Sequence, residues 1–255
     1  MSKYVIGIVA LVMVFICSVY MSTSSVQPQL DGVRRDMLQL RDVTGHQWSA
    51  IDQITGADGP SVQDMANMTV MVEIWADNYE GVEVLAGWGS GVIIGPETIL
   101  TARHLGSRLE SPRYVIITYD NARWDVTETY PDPDSDLMVL IAGDMPSYPE
   151  AALDDRDPAL GSDIVLIGTP KSIYMRNRVV KGNITTVHQE LSLPEEHRQP
   201  TERWSRIVGI SCHTLSGNSG GPVFYKGKVV GIFVGWVYGD HHFSVYIPVS
   251  ELNIE

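Results

Sequence analysis

The hexapeptide Gly217-Asn218-Ser219-Gly220-Gly221-Pro222 lies between two apolar runs, Ile207 to Ser211 and Val223 to Tyr225, and surrounds one serine with small residues. A serine hydroxyl becomes a useful nucleophile only when a base takes its proton and donors stabilise the oxyanion formed on the substrate. Glycine lets the backbone turn sharply enough to aim successive N–H groups at one point, and Pro222 stops the turn from continuing as a helix. The loop therefore predicts nucleophilic chemistry at Ser219. The rest of the chain must then supply a base and a carboxylate.

His104 ends the stretch Thr98-Ile99-Leu100-Thr101-Ala102-Arg103, a strand pattern that runs out into a turn at Gly106. An imidazole with its ordinary pKa of about 6.5 accepts a proton near neutrality and can return it to a leaving amine. His46 and His197 lie in polar loop-like stretches, His188 follows a strand without a motif, and His241 and His242 abut Asp240 without further metal-ligand spacing. The carboxylate that fixes the imidazole tautomer comes from Asp132, Asp134 or Asp136. Asp136 heads the apolar run Leu137-Met138-Val139-Leu140-Ile141, which carries it to the mouth of a buried strand. The Asp-x-Asp-x-Asp spacing also matches the start of a calcium loop. Leu137, however, stands where an EF-hand needs glycine, and no glutamate occupies loop position 12, so no metal is expected.

Taken together, these motifs resemble the chymotrypsin-fold serine proteases, and most nearly the HtrA/Deg-type protease domain. GNSGGP resembles the family's nucleophile motif, Thr101-Ala102-Arg103-His104 its Thr-Ala-x-His, and Asp136-Leu137-Met138-Val139-Leu140 its Asp-Leu-x-Val-Leu. Gly89-Ser90-Gly91-Val92 resembles the strand that precedes the base motif, and Leu160 to Pro170 with Val179 to Val187 resembles the second barrel. The likeness spans Met68 to Leu252. It implies that His104 acts as base and then acid, that Asp136 orients it and that Ser219 attacks. It implies an oxyanion hole from the N–H groups of Gly217 and Ser219, with Asn218 between them shaping the loop.

The resemblance also implies a specificity pocket lined by His213, Thr214 and Leu215 before the nucleophile loop and by Val234, Gly235 and Trp236 after it, with the last strand pairing to substrate backbone. His213 and Thr214 would suit an acidic side chain. Phe233, however, stands where glutamate-specific relatives resemble one another in carrying a pocket histidine, so a small or medium apolar side chain is expected instead. Polypeptide substrates and no cofactor follow. Arg103 departs from the small or uncharged residue expected before the base, and its guanidinium is expected to face solvent.

Chain order separates two hydrolase classes. Gly217-Asn218-Ser219-Gly220-Gly221 also fits the Gly-x-Ser-x-Gly elbow of α/β-hydrolases, in which the acid and histidine follow the nucleophile. Only 36 residues follow Ser219, and Pro222 begins a strand rather than a helix. The order His104, Asp136, Ser219 is that of chymotrypsin. A catalytically silent binding or chaperone-like module on the same fold is the alternative from another class, and the three filled positions argue against it.

The elements that must position these residues begin at Met68, where about a dozen short β-rich runs broken by Gly, Pro and Asp replace other patterns. No helical stretches alternate with them, so the fold class is all-β, and the resemblance makes it a double six-stranded β-barrel. Upstream, Tyr4 to Met21 is 18 residues without a charge, which as a helix spans about 27 Å of the roughly 30 Å hydrocarbon core. Residues 1–22 are thus read as a transmembrane signal anchor. The alternative is a signal peptide cleaved near Ser22 to Ser25.

Residues 23–67 are read as a linker with a short amphipathic helix on Leu30, Val33, Met37 and Leu40, followed by a connector from Val43 to Asn67. Residues 68–255 are the protease domain, with no appended PDZ domain expected after it. Anchored relatives place such domains outside the cytoplasm, which is the expectation here, with secretion after cleavage as the alternative. A net charge of -13 without Lys/Arg clusters argues against nucleic-acid binding. Cys17 and Cys212 are not expected to pair, Cys212 reads as a small buried hydrophobe, and no pattern argues for an oligomer.

Overall fold

A computed structural model describes residues 59–188, 206–237 and 243–253. Short runs rich in β-branched and apolar residues, most of them buried along nearly their whole length, pair into two closed antiparallel barrels. The first contains β1 (Thr69–Asp77), β2 (Glu83–Gly95), β3 (Thr98–Ala102), β4 (Arg113–Ile117), β5 (Arg123–Pro131) and β6 (Leu137–Ala142), in the order β1-β2-β3-β6-β5-β4. The second contains β7 (Asp163–Gly168), β8 (Arg178–His188), β9 (Ile207–Ile210), β10 (Pro222–Tyr225), β11 (Lys228–Val237) and β12 (Phe243–Pro248), in the order β10-β11-β12-β9-β8-β7. Closure pairs every strand on both sides, so neither barrel leaves a long open edge. This is the double six-stranded barrel expected from the sequence.

Each barrel encloses inward-facing apolar side chains. Ile164, Leu166, Val208, Ile210, Phe233 and Tyr246 form much of the second core. The barrels meet where β2 packs on β7 and β10, and β3 packs on β11. That seam is where the candidate site lies.

Two local features differ from the sequence reading. The runs at Val82 to Ala86 and Gly91 to Gly95 belong to one 13-residue strand, β2. Burial begins only in its second half, so an apolar pattern splits it in two. In the described end of the stretch read as a connector, residues 59–67, a helix α1 (Val62–Met68) forms, and the rest of that stretch lies outside the described residues. Ser61 caps it, accepting from the Asp64 N–H at 3.1 Å while its own N–H donates to Asp64 Oδ2 at 2.9 Å. Val62, Met65 and Ala66 form its buried stripe. The Ser-x-x-Asp spacing was the available signal.

The expected membrane span at Tyr4 to Met21, the Leu30 to Leu40 helix and His46, His197, His241 and His242 lie outside the described residues. Among the described residues, no helix is long and apolar enough to cross a membrane.

Candidate active site

β3 runs antiparallel to β6, with Ala102 opposite Leu137. The residues that follow β3 therefore emerge beside those that precede β6, which puts His104 next to Asp136. Three hydrogen bonds join the two segments, two of them between His104 and Asp136. The Arg103 N–H donates to the Asp136 carbonyl at 3.0 Å, the His104 N–H donates to Asp136 Oδ1 at 2.7 Å, and His104 Nδ1 lies 2.7 Å from Asp136 Oδ2. Asp136 is fully buried, whereas the His104 side chain is 22% exposed. A carboxylate can only accept, so the proton of the neutral ring sits on Nδ1 and Nε2 is the basic nitrogen.

The Ser219 loop is pinned against the same strands. The Ser90 N–H donates to the Ser219 carbonyl at 2.7 Å, and Ser90 Oγ donates to the Gly217 carbonyl at 2.8 Å. Gly217 and Gly220 both adopt positive φ, +95° and +83°, a region costly for any side chain. A Cβ at Gly220 would overlap the Ser90 carbonyl and Thr101 Oγ1, and Thr101 belongs to the strand that leads to His104. A Cβ at Gly89 would collide with Leu105 on one side and stand 2.9 Å from the Ser219 carbonyl oxygen on the other. Only bare backbone permits this approach of the Ser219 loop to the His104 turn.

The loop's N–H groups divide into two sets. Asn218 donates to the Leu215 carbonyl at 3.1 Å, Gly220 to Phe233 at 2.8 Å and Gly221 to Asn218 at 2.8 Å. Among the described residues, the N–H groups of Gly217 and Ser219 have no acceptor. Asn218 thus shapes the loop, and its own N–H is not available to an external oxygen. Its buried side-chain amide also lacks a partner among the described residues. The arrangement can hold an oxyanion on two donors beside a half-buried serine.

Ser90 is a site residue that sequence reasoning quoted without giving it a role. Besides its bond to Gly217, its Oγ accepts from the Thr169 N–H at 2.9 Å, and Trp88 Nε1 donates to the Thr169 carbonyl at 3.1 Å. Ser90→Ala leaves the Thr169 N–H and the Gly217 carbonyl without this partner. It should lower unfolding free energy by about 2 to 4 kcal/mol in a denaturant titration. A value indistinguishable from the unmodified chain would show that the tie is not needed.

Of the expected pocket residues, the fold brings Thr214 and Trp236 together. Trp236 Nε1 donates to Thr214 Oγ1 at 2.7 Å, Thr214 Oγ1 lies 2.7 Å from Ser244 Oγ, and Ser244 Oγ donates to the Cys212 carbonyl at 2.8 Å. Val234 and Gly235 are buried, Leu215 is half-buried and His213 is exposed. The Phe233 ring meets Trp236 edge to face at 6.1 Å. Ser244 escaped the sequence reading, although a serine at a buried register position of an otherwise apolar strand is a signal. Burial pushes the Cys212 thiol up to about 12, which keeps it protonated and unreactive. Burial likewise raises Tyr114 to about 12, and its hydroxyl donates to the Leu105 carbonyl at 2.7 Å, bracing the turn after His104.

Arg103 does not simply face solvent: its Nη1 donates to the Asp132 carbonyl at 2.7 Å.

Comparison with known proteins follows the same outline. The sequence profile described as "Trypsin-like peptidase domain" matches residues 89–232. The inactive form of the Rv3671c protease superposes with a TM-score of 0.59 at 19% identity, covering 74% of this chain and 87% of that one. The active form of the same protease, from M. tuberculosis, gives 0.60 at 21% identity, covering 74% and 80%. No curated protein sequence matches. At these identities the structural likeness shows the chymotrypsin-type double barrel.

Proposed function

Because the chain belongs to the trypsin-like peptidase domain family, we propose that it is a serine endopeptidase of HtrA/Deg type that works through an acyl-enzyme. His104 Nε2 takes the Ser219 proton as Oγ attacks the scissile carbonyl, and the N–H groups of Gly217 and Ser219 receive the oxyanion. The buried Asp136 carboxylate stabilises the imidazolium through Nδ1. His104 then gives the proton to the leaving amine, and water repeats the sequence to release the acid. The observation that carries this reading is the hydrogen-bond inventory of the Ser219 loop, in which the N–H groups of Asn218, Gly220 and Gly221 are spent internally and, among the described residues, those of Gly217 and Ser219 are left over.

The pocket chemistry supports an uncharged side chain before the cleaved bond. Ser244 spends its hydrogen on Cys212, so the hydrogen between Thr214 and Ser244 comes from Thr214, whose oxygen already accepts from Trp236. Every donor of that relay is occupied, and none remains for a substrate carboxylate. Nor does the relay contain an acid to meet lysine or arginine.

Digestion of unstructured casein, with cut sites read by mass spectrometry, tests both claims. Cuts after small or medium apolar residues, blocked by a fluorophosphonate, are expected. Cuts concentrated after glutamate or arginine would overturn the pocket reading, and an absence of blockable cuts would favour the silent binding module.

The apolar length of Tyr4 to Met21 supports residues 1–22 as a membrane anchor ahead of a linker over 23–67, and the resemblance to anchored proteases supports placing the domain of 68–255 outside the cytoplasm. Protease accessibility of the domain in intact cells tests that orientation. The N-terminal residue of the mature protein separates an anchor from a cleaved signal.

A further inference from the structure

Asp132 stands four residues before Asp136 and is fully buried. All its polar atoms are bonded. Its N–H donates to the Leu137 carbonyl at 2.9 Å, which closes the loop at the mouth of β6. Its Oδ1 accepts from the N–H groups of Asp134 at 2.8 Å and Ser135 at 3.0 Å, the residues leading directly into Asp136. Its carbonyl accepts from Arg103, the neighbour of His104, at 2.7 Å. Its Oδ2 accepts from the main-chain N–H of Asn253 at 2.7 Å, 121 residues away in sequence. Asn253 follows β12 and the short 3-10 turn Val249–Glu251, so the last of these bonds comes from the second barrel.

We propose that Asp132 is a positioning residue for Asp136, and that the Asn253 N–H clasps it, so that the segment after β12 sets the geometry of the His104–Asp136 pair in the opposite barrel. The path is short. Asn253 fixes the rotation of the Asp132 carboxylate, the carboxylate fixes the Asp134 and Ser135 amides, and these fix the backbone from which Asp136 reaches His104. Sequence distance hides this path: neither Asp132 nor Asn253 carries a motif role of its own. Only the effect on rate rests on the endopeptidase reading. The geometric claim stands apart from it.

The clasp is a main-chain contact, so the decisive pair of variants is Asn253→Pro, which removes the N–H, and Asn253→Ala, which keeps it. Leu252 has φ -68° and ψ 114°, the extended region that a residue before proline prefers, and the Asn253 side chain is exposed. One readout needs no catalysis: exchange with water of the proton between His104 Nδ1 and Asp136 Oδ2, followed by proton NMR on the full chain. Asn253→Pro should speed exchange roughly tenfold over Asn253→Ala, the factor that loss of one hydrogen bond to a carboxylate implies. It should also lower kcat by about 10- to 100-fold with KM little changed, as expected for a small displacement of a reacting group.

Asp132→Asn, which turns one acceptor oxygen into a donor, should move both readouts the same way. If the Pro and Ala variants exchange and turn over alike, per folded molecule, the clasp is structural only and the proposal is wrong. If exchange quickens as expected while Ser219→Ala hydrolyses casein as well as the unmodified chain, the peptidase reading falls and the positioning claim survives.

Discussion

Ser219→Ala is expected to lower kcat for peptide hydrolysis by about 10⁶-fold while leaving the fold intact. The serine is tied into the structure through its carbonyl, which accepts from the Ser90 N–H at 2.7 Å, and alanine keeps that bond. The N–H groups of residues 217 and 219 also remain, so a residual acceleration of about 10³- to 10⁴-fold over water should persist from oxyanion binding and substrate positioning. Because nucleophile and base act as one unit, His104→Ala should cost about as much, and the double variant no more than either alone. Single-turnover assays beside thermal melts separate chemistry from folding. A Ser219→Ala protein that still hydrolyses casein at an appreciable fraction of the normal rate would assign the chemistry elsewhere.

Asp136→Asn should lower kcat by about 10⁴-fold with little change in KM. The argument follows from the two contacts of this carboxylate. Oδ1 accepts from the His104 main-chain N–H and Oδ2 faces Nδ1, both at 2.7 Å. An asparagine has one oxygen and one NH2. The main-chain N–H cannot change its role, so the amide oxygen must take the Oδ1 position and the NH2 must face Nδ1. Nδ1 is then forced to accept, and the imidazole proton moves to Nε2, the nitrogen that should receive the Ser219 proton. Nitrogen NMR should find His104 protonated at Nε2 in this variant. An unchanged tautomer with a normal rate would remove Asp136 from the mechanism.

The all-β class was legible because short β-rich runs broken by Gly, Pro and Asp report directly on local strand geometry, whereas the count of two six-stranded barrels came from the family resemblance of the motifs. GNSGGP, Thr-Ala-x-His and the Asp136 run were legible for a related reason: each chemical role needs particular residue types within a few positions. Less legible was anything decided by partners distant in the chain. Ser90 bonds Gly217 across 127 positions, Asp132 meets Asn253 across 121, and Thr214 meets Ser244 across 30. No local pattern encodes those pairings. Arg103 illustrates the point, since its own neighbours suggest a solvent-facing cation, and only the turn of the 132–137 loop provides the carbonyl it binds.

By itself, then, the sequence determined which residues could supply a nucleophile, a base and an orienting carboxylate, and in what order along the chain. It also determined that short strands would surround them, because periodicity and glycine placement are local properties. Only the tertiary structure decided which loop donors remain unspent, which hydroxyls of the pocket are occupied and which barrel holds the Asp136 loop in place. Hydrogen bonds saturate. Whether a donor is free depends on every acceptor that closure of two barrels brings within reach, and that is a property of the packed chain rather than of any segment.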